Sequence, residues 1–332
     1  MKLMEYKKAI NILSYIVVVL SFYYIIDSLS GYKLGNVFEK SILITLVYLI
    51  LFAFIKSAFV FINGYIFRMI VEFTDGKKVN LFTLIDLYVK SNITKYIPSN
   101  VIPYVTRVYL GDKIGLGKLN ITMSSFLEIF LGISNTAIII IISLIIGLAQ
   151  LPQDISFSVN YQKIFFVIII SLVVVFLIAS SYFISLYLKN DFSKSKIKTD
   201  LRKVIKKYFN QKFFLLYIKI FLLSVLSFVL IGMIFYMMAY LVLNYKFQIT
   251  DFFNISICLG IAGYSAILTP GVPGGIGVKE TVSVVLISLY GYQKAPLVLA
   301  VIFSRIILIL ADVISYLLVL GYNKYRIKGT EN

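Results

Sequence analysis

Six long apolar runs punctuate the chain, at about 9–27, 41–67, 122–149, 163–188, 213–244 and 295–322. Each approaches or exceeds the roughly 20 residues that an α-helix needs to cross hydrocarbon. Between them lie two stretches of another kind, 80–120 and 252–292, partly apolar and each broken near its middle by proline. Neither half of either stretch is comfortably long enough to span alone. The pattern predicts an all-α polytopic membrane protein with six spanning helices and two re-entrant broken-helix hairpins.

The basic residues orient these elements. Lys2, Lys7 and Lys8 head the chain, and Lys324, Arg326 and Lys328 close it. The loop 189–212 carries Lys189, Lys194, Lys196, Lys198, Arg202, Lys203, Lys206, Lys207 and Lys212 against Asp191 and Asp200. Loops 28–40, 150–162 and 245–251 are short of positive charge. With cytoplasmic loops rich in Lys and Arg, both termini are expected in the cytoplasm. Span, span, broken stretch, span then occurs twice, in opposite senses. The whole chain, 1–332, reads as one membrane domain. Residues 1–150 form a first inverted repeat with its hairpin at about 80–120; residues 151–323 form a second with its hairpin at about 252–292. Residues 324–332 form a cytoplasmic tail. Paired interrupted segments in corresponding positions of inverted halves point to a transporter site near the midplane.

The breaks themselves carry candidate chemistry. In LTPGVPGGIGVKE (268–280), Pro270 and Pro273 lack amide donors, while Gly271, Gly274, Gly275 and Gly277 permit positive φ and close approach. A helix ending near Leu268 and another beginning near Gly277 would aim free amides at a cavity, where an anionic headgroup suits them. A tight turn with no ligand is the plainer alternative. The earlier break, KYIPSNVIPYVTRVYL (95–110), places Pro98 and Pro103 around Ser99 and Asn100, with Arg107 beyond. Arg107, Glu128, Glu280 and Arg305 lie in or beside apolar sequence near the breaks, and ionisable groups at depth need partners or a function. The expectation is that Arg107 and Glu128, and separately Glu280 and Arg305, lie near one another around a polar cavity. Ion pairs that only lock the hairpins are the competing reading. Lys56 and Lys219 also interrupt spans, but lysine stems can snorkel.

Composition narrows the function. The chain is 60% hydrophobic with a mean hydropathy of +0.93, which excludes a soluble enzyme. The net charge of +17 resides in short loops between apolar runs, so it reads as orientation and contact with anionic lipid, not nucleic acid. There is no histidine and one cysteine, Cys258, which reads as packing. His-based acid–base chemistry, zinc thiolate sites and an internal disulfide are thereby excluded, and no metal, cofactor or catalytic residue is expected. The N-terminal apolar run is long and lacks a cleavage site, so it reads as a first membrane helix and not a signal peptide. In the basic loop, Leu201, Val204, Ile205, Tyr208 and Phe209 share one helical face, suiting a surface helix on anionic headgroups or a solvated orienting loop. PGVPGGIGVKE meets neither the P-loop nor the G-x-G-x-x-G pattern.

PGGIGVKE, an apolar spacer and then Arg305 resemble the transmembrane region of lysylphosphatidylglycerol synthases and their stand-alone flippase-like relatives. IPSN, Arg107, the loop GDKIGLGKLN and Glu128 stand in the order of that family's first block. The run SNVIPYVT departs from it, standing where the family usually has a glycine–acidic pair. The resemblance implies translocation of an anionic, aminoacylated or polyprenyl-linked lipid between leaflets of the cytoplasmic membrane. The chain closes at Asn332 without the family's synthase domain, so a lysyltransferase is not expected. The implied partners are the lipid substrate, a separate lipid-synthesising enzyme or a second copy of the chain. A membrane subunit of a lipid-modifying enzyme and a small-solute transporter are the alternatives.

Overall fold

The computed structural model describes residues 19–20, 23–29, 42–97, 101–150, 211–269 and 272–330. Beyond the short helical stretch 23–29, eight helices are described: α1 (Ile42–Asp75), α2 (Leu81–Asn92), α3 (Ile102–Lys113), α4 (Lys118–Ile145), α5 (Gln211–Leu243), α6 (Phe252–Leu268), α7 (Val278–Ser288) and α8 (Lys294–Thr330). Short 3₁₀ turns occur at Ile93–Tyr96, Ile249–Asp251 and Pro273–Gly275, and no strand occurs among the described residues. The expected span at 163–188, the basic loop 189–212, most of the span at 9–27, and Pro98, Ser99, Asn100, Pro270 and Gly271 lie outside the described residues.

Five of these segments are long and apolar enough to cross a membrane: Ile42–Asp75, Lys118–Ile145, Gln211–Leu243, Ile249–Leu268 and Lys294–Tyr325. Four coincide with spans expected from the sequence. The first of them overruns its expected end at 67 because Arg68 and Glu72 pair across one helical turn at 3.0 Å, letting the helix continue past the hydrocarbon. The fifth corrects an expectation. The first half of the second broken stretch is a continuous segment of 20 residues and is long enough to cross unaided. Its polar residues cost little: Ser256 donates to the Phe252 carbonyl at 2.8 Å and Asn254 to Asp251 at 3.2 Å.

Helices α1 and α8 pack on each other along the centre of the bundle, and α1 also meets α2, α4 and α5. The largest core joins Phe52 and Ala53 of α1, Phe235 and Met238 of α5, Ile255 and Cys258 of α6, Val284 and Ile287 of α7, and Leu297 and Val301 of α8. Cys258 is therefore a packing residue. Ile42, Leu43, Val47, Ile50 and Phe54 of α1, and Phe214, Leu222 and Met233 of α5, point outward instead. Large apolar side chains displayed in rows suit a hydrocarbon solvent.

Both broken stretches fold as helix–break–helix units. Asn80 opens α2 by accepting the Phe82 amide at 2.9 Å, and Pro103 sits harmlessly in the first turn of α3. At about 18 Å each, α2 and α3 are far shorter than a bilayer core. Asn120, at the start of α4, donates to Asp75 at the end of α1, so the α2–α3 unit leaves and rejoins the same end of the bundle. The α6–α7 unit does so at the other end of α4: the Gln150 amide donates to Asn254 at 2.9 Å, and Tyr290 donates to the Gln150 carbonyl at 3.0 Å. Tyr292 donates to Asp251 there as well. Burial, and then that bond, raises the Tyr292 phenol above its ordinary range.

The tip of the second unit leaves no room for a side chain at Gly275. Its φ is +66°, and a Cβ there would lie 2.3 Å from Cβ of Ala266. Gly275→Ala is expected to destabilise the protein by about 2–4 kcal/mol, through overpacking together with backbone strain. Thermal unfolding in detergent checks this, with Gly291→Ala at an uncrowded turn as the comparison; an equal effect of the two would discount crowding at the tip.

Candidate functional site

The two broken units point their tips at each other. The Pro273–Gly275 turn touches the Ile93–Tyr96 turn, and α8 runs past both. Beside this junction lies a cavity of about 330 Å³. Its polar wall is made by Tyr88, Asn92, Lys95, Arg107, Glu128, Lys279 and Arg305, and its apolar wall includes Ile66, Leu131, Ile220 and Ile267.

Arg107 forms an ion pair with Glu128 across the cleft between α3 and α4. Its guanidinium lies 4.4 Å from the Tyr88 ring, 4.8 Å from Phe67 and 5.3 Å from Tyr104. Its Nε donates to Ser91 Oγ at 3.1 Å, and Tyr88 donates to the other oxygen of Glu128 at 3.1 Å. This gives Arg107 its partner despite the departure at SNVIPYVT. The arginine is closed in by aromatic faces, while Glu128 keeps 19% of its side chain exposed towards the cavity.

The second pair is built differently. Arg305 Nη1 donates to Glu280 Oε1 at 3.2 Å and to the Gly274 carbonyl at 2.9 Å, which is how α8 grips the tip. The other oxygen of Glu280 accepts the Gly277 amide at 2.7 Å, where φ of +84° starts α7. One of the amides expected to face a ligand is therefore satisfied by the chain's own carboxylate, and the positive end of α7 is countered from within. Arg305 Nη2, by contrast, is buried with no hydrogen-bond partner among the described residues.

A third cluster escaped the sequence reading. Asp312 of α8 is 2% exposed and collects three partners from the first unit: Lys95 at 2.7 Å, Asn92 at 2.8 Å and the Tyr96 hydroxyl. It lies seven residues after Arg305, two turns along the same face of α8. An aspartate in the run LILADVISYLL is the same signal that exposed Arg305, an ionisable group in apolar sequence. Nearer the end of the bundle, Asn323 donates to Asp86 at 2.7 Å and Tyr322 stacks on Phe82 at 4.7 Å, so α8 holds α2 along its length.

Of the residues expected to form a site, Arg107, Glu128, Gly274, Gly275 and Arg305 line the cavity. Pro273, Gly277 and Glu280 are not among its lining residues, though Glu280 holds Arg305 and the Gly277 amide. Pro98, Ser99, Asn100, Pro270 and Gly271 lie outside the described residues. Lys95, Lys279, Asn92, Tyr88, Tyr104 and Tyr264 line the cavity without having been expected. Lys95 and Lys279 flank the breaks, so proximity to a proline could have flagged them. The tyrosines and Asn92 carry no such mark. No cluster of metal-binding side chains occurs among the described residues.

Removing the charge of Asp312 strands Lys95 at the junction. Asp312→Asn is expected to cost about 2–4 kcal/mol, while Asp312→Asn combined with Lys95→Met recovers part of that loss, because a lone buried charge is worse than none. The thermal midpoints of the single and double variants check this; a double variant no more stable than the single would show that the pair is not coupled.

No curated protein and no solved structure matches the chain. A family model described as the lysylphosphatidylglycerol synthase TM region matches residues 11–315, most of the chain's length. With Arg107, Glu128 and Arg305 at one cavity between apolar helices, the chain is an integral membrane protein that belongs to the lysylphosphatidylglycerol synthase transmembrane-region family.

Proposed function

We propose that the protein is a flippase-like transporter that moves a lipid between leaflets of the cytoplasmic membrane. The observation that carries this reading is the cation-rich cavity at the meeting point of two helix–break–helix tips, walled elsewhere by apolar helices. A polar chamber so placed gives a headgroup a protein surface in the zone where lipid offers none. The two units, joined to opposite ends of the bundle, act as re-entrant hairpins of an inverted repeat, one opening to each side. Rocking one hairpin against the other exposes the chamber to each leaflet in turn. The chain makes and breaks no bond in this reading; it offers a path. A membership in a family named for lysylphosphatidylglycerol synthesis supports lipid as the cargo.

Two measurements test it. Reconstituted into liposomes, the chain should accelerate movement of fluorescent phospholipids to the outer leaflet, followed by a membrane-impermeant quencher; solute uptake with no lipid movement would overturn the reading in favour of a small-solute carrier. In a Cys258→Ala background, Lys77→Cys should be labelled only from the cytoplasmic side and Gln293→Cys only from outside. Labelling of both from one side would sink the inverted arrangement.

A further inference from the structure

The charges at the cavity do not cancel. Lys95 is answered by Asp312, Arg107 by Glu128, and Arg305 Nη1 by Glu280. Lys279 lines the same cavity and has no ion pair or hydrogen bond among the described residues. The buried Nη2 of Arg305 is likewise unanswered. Gly274, next to this nitrogen, has no side chain, and a Cβ built there would stand 3.1 Å from Arg305 Nη2.

We propose that Lys279 and Arg305 Nη2 form the seat of a phosphate oxyanion, and that the cavity accepts headgroups of net negative charge while turning away aminoacylated headgroups of net positive charge. The inference rests on the lipid-transport reading and narrows its substrate class. A buried guanidinium edge with a free donor and a neighbouring ammonium is the donor set a phosphate oxygen satisfies. Arg305 is held in place by Gly274 and Glu280, so its free edge is oriented before any ligand arrives. A lysine-esterified phosphatidylglycerol brings two ammonium groups and one phosphate charge, and its surplus ammonium would meet Lys279 and Lys95 with Glu128 as the cavity's sole lining carboxylate among the described residues. Like charges facing each other at low dielectric are strongly unfavourable.

The test uses the purified full chain in zwitterionic phosphatidylcholine nanodiscs, titrated calorimetrically with dihexanoyl phosphatidylglycerol, dihexanoyl ethylphosphatidylcholine (cationic), glycerol phosphate and inorganic phosphate. The anionic lipid should bind at least about tenfold more tightly than the cationic one. Lys279→Met should weaken that binding by about tenfold and Lys279→Arg should retain it, as one charge-assisted contact is lost or kept. Lys219→Gln, on the exposed face of α5, should change nothing. Equal or tighter binding of the cationic lipid, or an unchanged affinity in Lys279→Met, overturns the proposal. Should Lys279→Met fail to fold, protection of Lys279 from acetic anhydride by phosphatidylglycerol in the unmodified chain replaces it, and absence of protection is the overturning result. If inorganic phosphate binds as tightly as the lipid and liposomes show no lipid movement, the phosphate seat stands and the lipid reading falls. If lipid moves but cationic headgroups are preferred, the seat falls and the lipid reading stands.

Discussion

A helix that breaks among apolar helices leaves backbone and side-chain polar groups that only protein can satisfy, and the rest of this structure is arranged around two such stops. At each stop, the satisfying group comes from far along the chain. Arg305 of α8 reaches the Gly274 carbonyl, and Asp312 of the same helix reaches Lys95, Asn92 and Tyr96. One long helix therefore holds both tips, and its own partner α1 anchors it at the centre of the bundle. The cavity follows from this, since two tips pinned side by side by charges cannot also be packed like an apolar core.

The ion pairs are weak arguments for stability, because a buried pair must first offset the cost of leaving water. They are stronger arguments for specificity, and their surroundings differ in a way that assigns them different work. Arg107 is enclosed by Tyr88, Phe67 and Tyr104 and spends its Nε on Ser91, so little of it remains for a ligand. Arg305 retains an unanswered nitrogen beside a glycine tip. The first pair is closed by its neighbours; the second is left with an unanswered donor.

Much of this was legible in the sequence because hydrocarbon punishes exceptions. Four charges in apolar runs were enough to predict two pairs, and prolines with glycines were enough to place the end of α6 at Leu268 and the start of α7 just after Gly277. What stayed hidden depends on long-range geometry. Asp312 meets Asn92 across 220 positions, and no local pattern says which carboxylate a lysine will find. Tyr88 and Tyr104 looked like any other aromatic residues of a chain with 25 tyrosines, and only the fold turns their rings towards Arg107. The second broken stretch misled by its proline, which drew attention to the break and away from the 20 unbroken residues before it.

Cavity size sets a further condition on the transport reading. At about 330 Å³, the chamber falls at the lower end of small-ligand sites, large enough for a headgroup and too small for two acyl chains. The chains must then stay in the bilayer while the headgroup travels through protein, which requires apolar surface next to the polar chamber. Ile267 meets this condition directly, lining the cavity while remaining 42% exposed, with Leu268 beyond it at 59%. Across the junction, Val101 and Val105 are exposed at 60% on the first hairpin. The end of α6 thus joins lysine and arginine on one side to exposed aliphatics on the other, and on the transport reading a headgroup would enter where the helix stops.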